Sequence, residues 1–395
     1  MVKNKGLILD LGGGYCKIGF ASDDQPKIYD NCLLKSKIHG STFISPEIKK
    51  IQNLSKLFLN YPFKKGFINN WDLQKEILDS TFNFLLPNRN LELDDIDMIL
   101  TEPYFNFSSA KSTMNQIMFE EYSVNSLLTA NPAFFSAYTS SRINGVKNSL
   151  IIDSGYSFTH IVGVLNGKIS APHVIRLNIG GKVLTNRLIE MISYRQLDVR
   201  SEVYIMNKCK EDSCFVSKDF YADLNRAQAK NFADENAIPK DYFLPDFSNV
   251  MKGYLTEHKT GKNQNSNVLF LTNERFTVPE LLFHPSDVGF PEMGIEEAIP
   301  FLLNEKIDSN MIRYNLLSNV ILTGGNCNMP GYAERIKNIL ISSSPDDFEV
   351  NLSSKDPQFS AWKGAQLLYS NPDDHSKLQV GRKEYEEYVI LTDYR

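Results

Sequence analysis

Two short stretches of this sequence carry the residues best suited to chemistry. The first, Leu7 to Phe20, reads LILDLGGGYCKIGF: an apolar run with Asp10 near its end, the glycines Gly12, Gly13 and Gly14, then a second apolar run containing Lys17. The second, Leu150 to Val164 (LIIDSGYSFTHIVGV), repeats the pattern with Asp153, Gly155 and His160. Glycine turns expose a row of backbone N–H groups, a concavity suited to phosphate. A carboxylate at the end of each apolar run can hold a hydrated magnesium ion, which takes one or two carboxylates along with water and phosphate oxygens. A lone Asp-Leu-Gly-Gly-Gly reads equally well as a plain hairpin turn. Two copies favour the phosphate reading and imply two halves with a nucleotide between them. A third stretch, Val320 to Gly331 (VILTGGNCNMPG), sets another apolar run before Gly324 and Gly325, where backbone can approach a ligand closely.

The elements around these turns follow from hydrophobic period. Both turn stretches begin as short, buried strands entering hairpins. Asn70 is placed as the N-cap of a helix with Trp71, Leu78, Phe82 and Leu85 on one face, ended by Pro87. Ile96 to Leu100 reads as a buried strand, and Ala110, Met114, Ile117 and Met118 keep a helical period after it. Strands too apolar to have a wet face, flanked by helices, predict an α/β fold with a covered sheet. The second half repeats the plan, with a helix carrying Leu184, Leu188, Met191 and Ile192 and another opening the segment from Glu202 to Ser217. Between Pro46 and Asn60, the residues Ile48, Ile51, Leu54, Leu57 and Phe58 fall near helical spacing. Lys218 to Asn267 is polar with weak periodicity and ends in GKNQNSN; it reads as a partner-binding insertion outside the core. The final part, from Gln358, packs back on the first half.

At 395 residues, the chain suits two or three domains, and 42% hydrophobic with 23% charged residues is an ordinary globular composition. A net charge of −5 argues against a strongly basic nucleic-acid binder. Lys35, Lys37, Lys49, Lys50, Lys64 and Lys65 cluster early, as a solvated face would. The five cysteines are scattered without Cys-x-x-Cys spacing and read as reduced, buried thiols; a metal cluster of His and Cys is not expected. With no charged leader and no long apolar run, the expectation is a soluble protein without membrane contact.

An ordered series of runs resembles the actin superfamily along nearly the whole chain: DLGGGYCKIGFA, YPFKKGFINNW, MILTEPYFN, QIMFEEY, DSGYSFTH, ERFTVPELLFHPSDVGF and ILTGGNCNMPGY. The resemblance implies an actin-like fold of two related RNase H-type α/β domains, each with a small subdomain, around a nucleotide cleft. The implied units are 1–31, 69–140 and 347–395 as one large subdomain, with 32–68 as its small companion. The second large subdomain is 141–179 and 283–346, and 180–282 is the second small one, with the insertion near 218–267. Residue by residue, Gly12, Gly13, Gly14 and Lys17 match the first phosphate loop and Gly155 the second. Asp10 and Asp153 match the carboxylates that hold magnesium through water. Gly181, Lys210, Glu211, Gly324 and Gly325 match the positions around ribose and adenine. ATP or ADP with magnesium is the implied, structural ligand.

Two departures from the family pattern bear on function. The glutamine that positions the attacking water in actin falls on Pro132 when aligned through NPAFFSAYTSSR, and the family Asp-Gly of the second loop is replaced by Tyr156 and Ser157. Phosphoryl transfer depends on positioning water, so binding without significant hydrolysis is expected, and no catalytic residue is assigned. The region between Lys35 and Tyr61 is shorter than the actin loop that joins filament subunits, which implies a protein that is not a homopolymer. The runs IGGKVLTNRLIEMISYRQLDVR, KEDSCFVS and DYFLPDF are similar to nuclear actin-related proteins of the sixth class. That class implies a nuclear, also cytoplasmic, scaffold subunit of the SWR-type remodelling complex, which exchanges a conventional histone dimer for one carrying the Z-type variant. Its implied partners are the remodelling ATPase and a zinc-finger subunit, with histones and nucleosomal DNA met mostly indirectly. An actin-like ATPase of the cytoskeleton or of a dynactin-type complex remains the alternative, and a sugar kinase is disfavoured for want of an acceptor-site carboxylate motif.

Overall fold

The computed structural model describes residues 5–36, 40–51, 57–86, 93–228, 237–247, 249–258, 267–344, 349–353 and 355–393. Lys37, Leu54, Pro87 and most of the GKNQNSN run lie outside them. The first half contains β1 (Lys5–Leu11), β2 (Tyr15–Phe20), β3 (Lys27–Asp30), β4 (Leu33–Ser36), β5 (Thr42–Ile44), β6 (Leu57–Asn60), β7 (Phe63–Lys64), β8 (Phe67–Ile68), α1 (Trp71–Leu85), β9 (Ile96–Thr101), α2 (Ser108–Gln116), β10 (Ser126–Ala130) and α3 (Pro132–Asn144). The second half contains β11 (Ser149–Ser154), β12 (Thr159–Leu165), β13 (Lys168–Leu177), α4 (Gly181–Arg195), α5 (Val203–Ser213), α6 (Phe220–Gln228), β14 (Lys240–Phe243), β15 (Tyr254–Glu257), β16 (Val268–Leu271), α7 (Glu274–Glu280), α8 (Ile295–Pro300), α9 (Asn310–Leu317), β17 (Val320–Thr323) and α10 (Tyr332–Ser342). The chain closes with β18 (Leu352–Ser353), α11 (Ser360–Tyr369), α12 (Pro372–Leu378), β19 (Val380–Gly381) and α13 (Arg382–Asp393).

The two large sheets share one plan. In the first, of order β19-β10-β9-β1-β2-β3, an antiparallel meander of β1, β2 and β3 continues through parallel β9 and β10. In the second, of order β13-β12-β11-β17-β18, the meander β11, β12 and β13 continues through parallel β17 and β18. The repeated sequence grammar thus lands on equivalent hairpins. Asp10 pairs with Lys17 across the first, and Asp153 with His160 across the second. Strands buried along nearly their whole length, such as β1, β9 and β17, account for their unbroken apolar runs.

Helix α3 lies between the sheets. Phe135 packs with Ile8, Ile99 and Trp362 toward the first, while Ala133 and Ala137 pack with Ile151, Val162 and Ile321 toward the second. Small residues on one face and Phe135 on the other let a single helix serve both cores. Helix α11 approaches it closely at Gly364, where a Cβ would lie 2.0 Å from the Phe135 carbonyl oxygen.

Asn70 caps α1 as expected, its side-chain oxygen accepting the Leu73 N–H at 3.0 Å. The C-terminal part does return to the first half, through β19 on β10 and Tyr385 stacked on Phe119. Two expectations need correction. Among the described residues of 46–60 there is no α-helix: a short 3-10 segment, Ser45–Lys50, precedes β6, which completes a sheet of order β5-β4-β6. Buried Leu33 and Leu34 on β4 require a bonded strand on each side, and that tertiary demand overrides the local spacing. Nor does the run from Lys218 stand wholly apart from the core. It supplies α6 and two strands of the sheet β15-β14-β16, and Tyr242 is 1% exposed within the second-half core. All five cysteines are buried, unpaired thiols. Among the described residues, no helix is long and apolar enough to cross a membrane.

Candidate functional site

The two hairpins face each other across a cleft of about 450 Å³, within the size range of small-molecule pockets. Their apposition is close. A Cβ on Gly13 would lie 2.5 Å from Ser157 Oγ, and one on Gly14 would lie 2.7 Å from the Tyr156 ring. The first turn is fixed by the Gly12 N–H donating to the Tyr15 carbonyl at 3.0 Å, and by Asn31, whose side chain donates to the Gly12 carbonyl at 2.9 Å. In the second, the Gly155 N–H donates to the Phe158 carbonyl at 2.9 Å.

The carboxylates sit at the cleft floor with dissimilar surroundings. Asp10 accepts from Lys17 Nζ at 2.6 Å and from Thr101 Oγ1 at 2.8 Å. Asp153 accepts from the Tyr104 hydroxyl at 3.1 Å. Burial pushes the Asp153 carboxyl up to about 7; the Tyr104 hydrogen bond opposes this, and the charge of Asp10 adds to it. His160 lies against Tyr104, ring centroids 4.3 Å apart, with its Nε2 buried and without a hydrogen-bond partner. Burial, then the nearby Arg176, pushes it down to about 3, so the imidazole is neutral.

The remaining sequence-selected residues line the same cleft. Gly324 has φ +98° and packs on the second hairpin, where a Cβ would lie 2.3 Å from the Ser154 carbonyl oxygen; only glycine fits. Gly325 faces open space, and Asn326 ties this turn to the hairpin by donating to the Gly155 carbonyl at 2.8 Å. Gly181 begins α4, and its carbonyl accepts from Lys210 Nζ at 2.9 Å. Lys210 is buried, donates also to Thr185 and Asn207, and is pushed down to about 8, by burial above all. Burial works to raise Glu211, but the charge of Lys208 and the hydrogen bond from Tyr15 outweigh it and hold the carboxyl below its ordinary value. All twelve residues selected from sequence therefore meet in one cleft. Its donor set suits a phosphorylated ligand with magnesium: hairpin N–H groups, two carboxylates, Lys17 and an unpaired buried imidazole nitrogen.

The actin family profile matches residues 1–390. "Actin-related protein 6" of Drosophila melanogaster is 35% identical over 399 residues, covering 98% of each chain. The proteins of the same name from Neurospora crassa and Arabidopsis thaliana are 34% and 33% identical, covering 97% and 96% of this chain and 92% and 96% of their own lengths. The chain belongs to the actin family, in the actin-related protein 6 class.

Within this actin-family cleft, the departures seen in the sequence have definite positions. Pro132 is the first residue of α3 and lines the cleft, offering no side-chain hydrogen-bonding group. The start of α3 is capped from outside, the Ala133 N–H donating to the Tyr104 hydroxyl at 3.0 Å. Tyr104 thus joins Asp153, His160 and the N-terminus of α3, a role sequence reasoning missed because it arises only when these distant segments meet. Tyr156 lines the cleft and lies against Gly14 and Tyr61, its ring centroid 5.6 Å from that of Tyr61. Tyr15, Asn207 and Lys208 were missed as well; their helical spacing to Glu211 was visible, but the tyrosine comes from the other half of the chain.

Proposed function

We propose that the protein is a non-filamentous scaffold subunit of a nuclear chromatin-remodelling complex of the SWR type, which exchanges a conventional histone dimer for one carrying the Z-type variant. Its cleft holds ATP or ADP with magnesium and does not turn it over to any significant extent. The observation that carries the second statement is Pro132 at the cleft, where an actin that hydrolyses ATP needs a side chain able to orient water. Tyr104 adds to it, because one phenol engages both Asp153 and the face of His160. Asp10 and Asp153 would hold magnesium through water, Gly13 and Gly14 would present N–H groups, Gly12 and Gly155, whose own N–H groups are bonded within their hairpins, would shape the turns, and Lys17 would add charge. Lys210, Glu211, Gly181, Gly324 and Gly325 would border the sugar and base. When bound, the magnesium nucleotide supplies charge that both hairpins attract, joining the halves of the body.

The scaffold reading rests on likeness to relatives named actin-related protein 6 and on the class-specific runs in the sequence. The remodelling ATPase and a zinc-finger subunit are the proposed direct partners, with histones and DNA contacted mainly through them, as suits a net charge of −5. Exposed Tyr221 on α6 and exposed Met251 mark the outer surface of the second small subdomain. Affinity purification from nuclear extract tests this: the intact protein should recover a remodelling ATPase and histone-exchange factors, and Tyr221→Ala with Met251→Ala should reduce recovery. Recovery of cytoskeletal or dynactin-type components would overturn the assignment.

A further inference from the structure

On the sugar side of the cleft one side chain reaches from the first half to the second. Tyr15 opens β2 directly after the glycines of the first hairpin, whereas Asn207, Lys208 and Glu211 stand on α5. The Tyr15 hydroxyl donates to Glu211 Oε1 at 2.6 Å, and accepts from Lys208 Nζ at 2.7 Å and from Asn207 Nδ2 at 3.1 Å. A phenol has one donor and accepts at its lone pairs, so this hydroxyl is fully engaged, entirely with α5. Lys208 and Asn207 also reach Glu211 directly, at 3.1 Å and 2.8 Å, and the Lys208 ammonium stands 4.8 Å from the centre of the Tyr15 ring. Glu211 therefore receives three protein donors, one of them from across the cleft, and keeps room on Oε2 for a further one. The same mouth is bridged one helical turn away by the Tyr204 hydroxyl, which donates to Asp30 at 3.3 Å. Tyr61 and Tyr156 bridge it again beside Gly14.

We propose that Tyr15 is a positioning residue and a latch: it holds Glu211 from the opposite wall, and this bond must break before a nucleotide enters or leaves. The proposal rests on reading the cleft as a nucleotide site. It assigns to Tyr15 the control of exchange rate, with the ribose-bordering carboxylate as the catch. Exchange then depends on parting a charge-assisted hydrogen bond at the mouth as well as on contacts with phosphate.

Tyr15→Phe tests it, because the substitution keeps the ring under Lys208 and removes only the hydroxyl. Tyr242→Phe is the control: it loses a hydroxyl bond of 3.0 Å to Asp212 on the same helix, made from within the second half. Purified full chain is read two ways, by hydrogen–deuterium exchange without ligand and by release of etheno-ATP with magnesium after an excess of ATP is added. The latch predicts release about tenfold faster in Tyr15→Phe, the scale of one hydrogen bond to a charged group, with faster exchange in both 15–20 and 203–213. Tyr242→Phe should leave 15–20 as in the unaltered protein. Equal release rates, or exchange in 15–20 unchanged by Tyr15→Phe, would overturn the proposal. If the unaltered protein retains no etheno-ATP, the nucleotide reading falls instead, and hydrogen exchange alone decides whether Tyr15 joins the halves.

Discussion

Asp153 ends a buried strand near Asp10, and burial pushes its carboxyl up to about 7. The unfolded chain loses this proton near an ordinary carboxylate pKa of about 4. Between those values the folded, ligand-free protein binds the extra proton, so the contribution of Asp153 to stability falls as pH rises. Magnesium requires the carboxylate, and its binding with nucleotide should therefore release a proton. Affinity is expected to be about tenfold weaker at pH 6 than at pH 8, with proton release visible by calorimetry in buffers of different ionisation enthalpy; a flat profile would contradict this. A second prediction concerns Tyr104. Pro132→Gln alone should raise phosphate release only in part, since Tyr104 still engages Asp153 and His160, whereas Pro132→Gln with Tyr104→Leu should raise it about tenfold. Release restored in full by the single substitution would limit the cause to Pro132. At this scale the turn glycines, Asp10 and Asp153 were legible because each sits in a motif with its own chemistry, whereas Gly181, Lys210 and Glu211 were reached only through the family resemblance. Tyr104 and Tyr15 were not, since their roles exist only once distant segments meet.

Helix α3 is the element on which the cleft depends, because it packs on both sheets and begins at Pro132. Its position is fixed by the close approach of α11. Gly364→Val places side-chain atoms against the Phe135 carbonyl and should destabilise by about 3 kcal/mol or more, read as a fall in denaturation midpoint. Asn70→Ala removes a single N-cap bond at the start of α1 and should cost about 1 kcal/mol. An equal loss from the two would mean that the α3–α11 approach is more yielding than the geometry implies. Elements with strong local signals, such as α1, α4 and β9, could be read from their sequence alone. The strand β6 and the sheet containing Tyr242 could not: the first was hidden by accidental helical spacing, the second by polar runs that dilute its alternation. In both, the deciding influence was an unpaired neighbouring strand.

Two sheets of one plan, joined by α3 and facing across a ligand-sized cleft, make a body whose halves a nucleotide can hold together. A ligand that binds only the folded form stabilises it by mass action, about 2.7 kcal/mol at a hundredfold excess over Kd. Magnesium ATP should accordingly raise the melting temperature, and Asp10→Ala should abolish the increase. Whether the protein forms homopolymers is tested by sedimentation in magnesium and salt, where a single species of monomer mass is expected. The repeated plan was legible in the duplicated Asp-and-glycine grammar; the closed mouth of the cleft was not, because it depends on side chains from both halves. The central claim is that the cleft holds ATP without turning it over. It is tested most directly by loading the purified protein with γ-phosphate-labelled ATP and magnesium, removing free nucleotide, and following the bound species over hours. The account predicts that intact ATP stays bound; conversion to ADP and free phosphate at a rate comparable to that of an actin would contradict it.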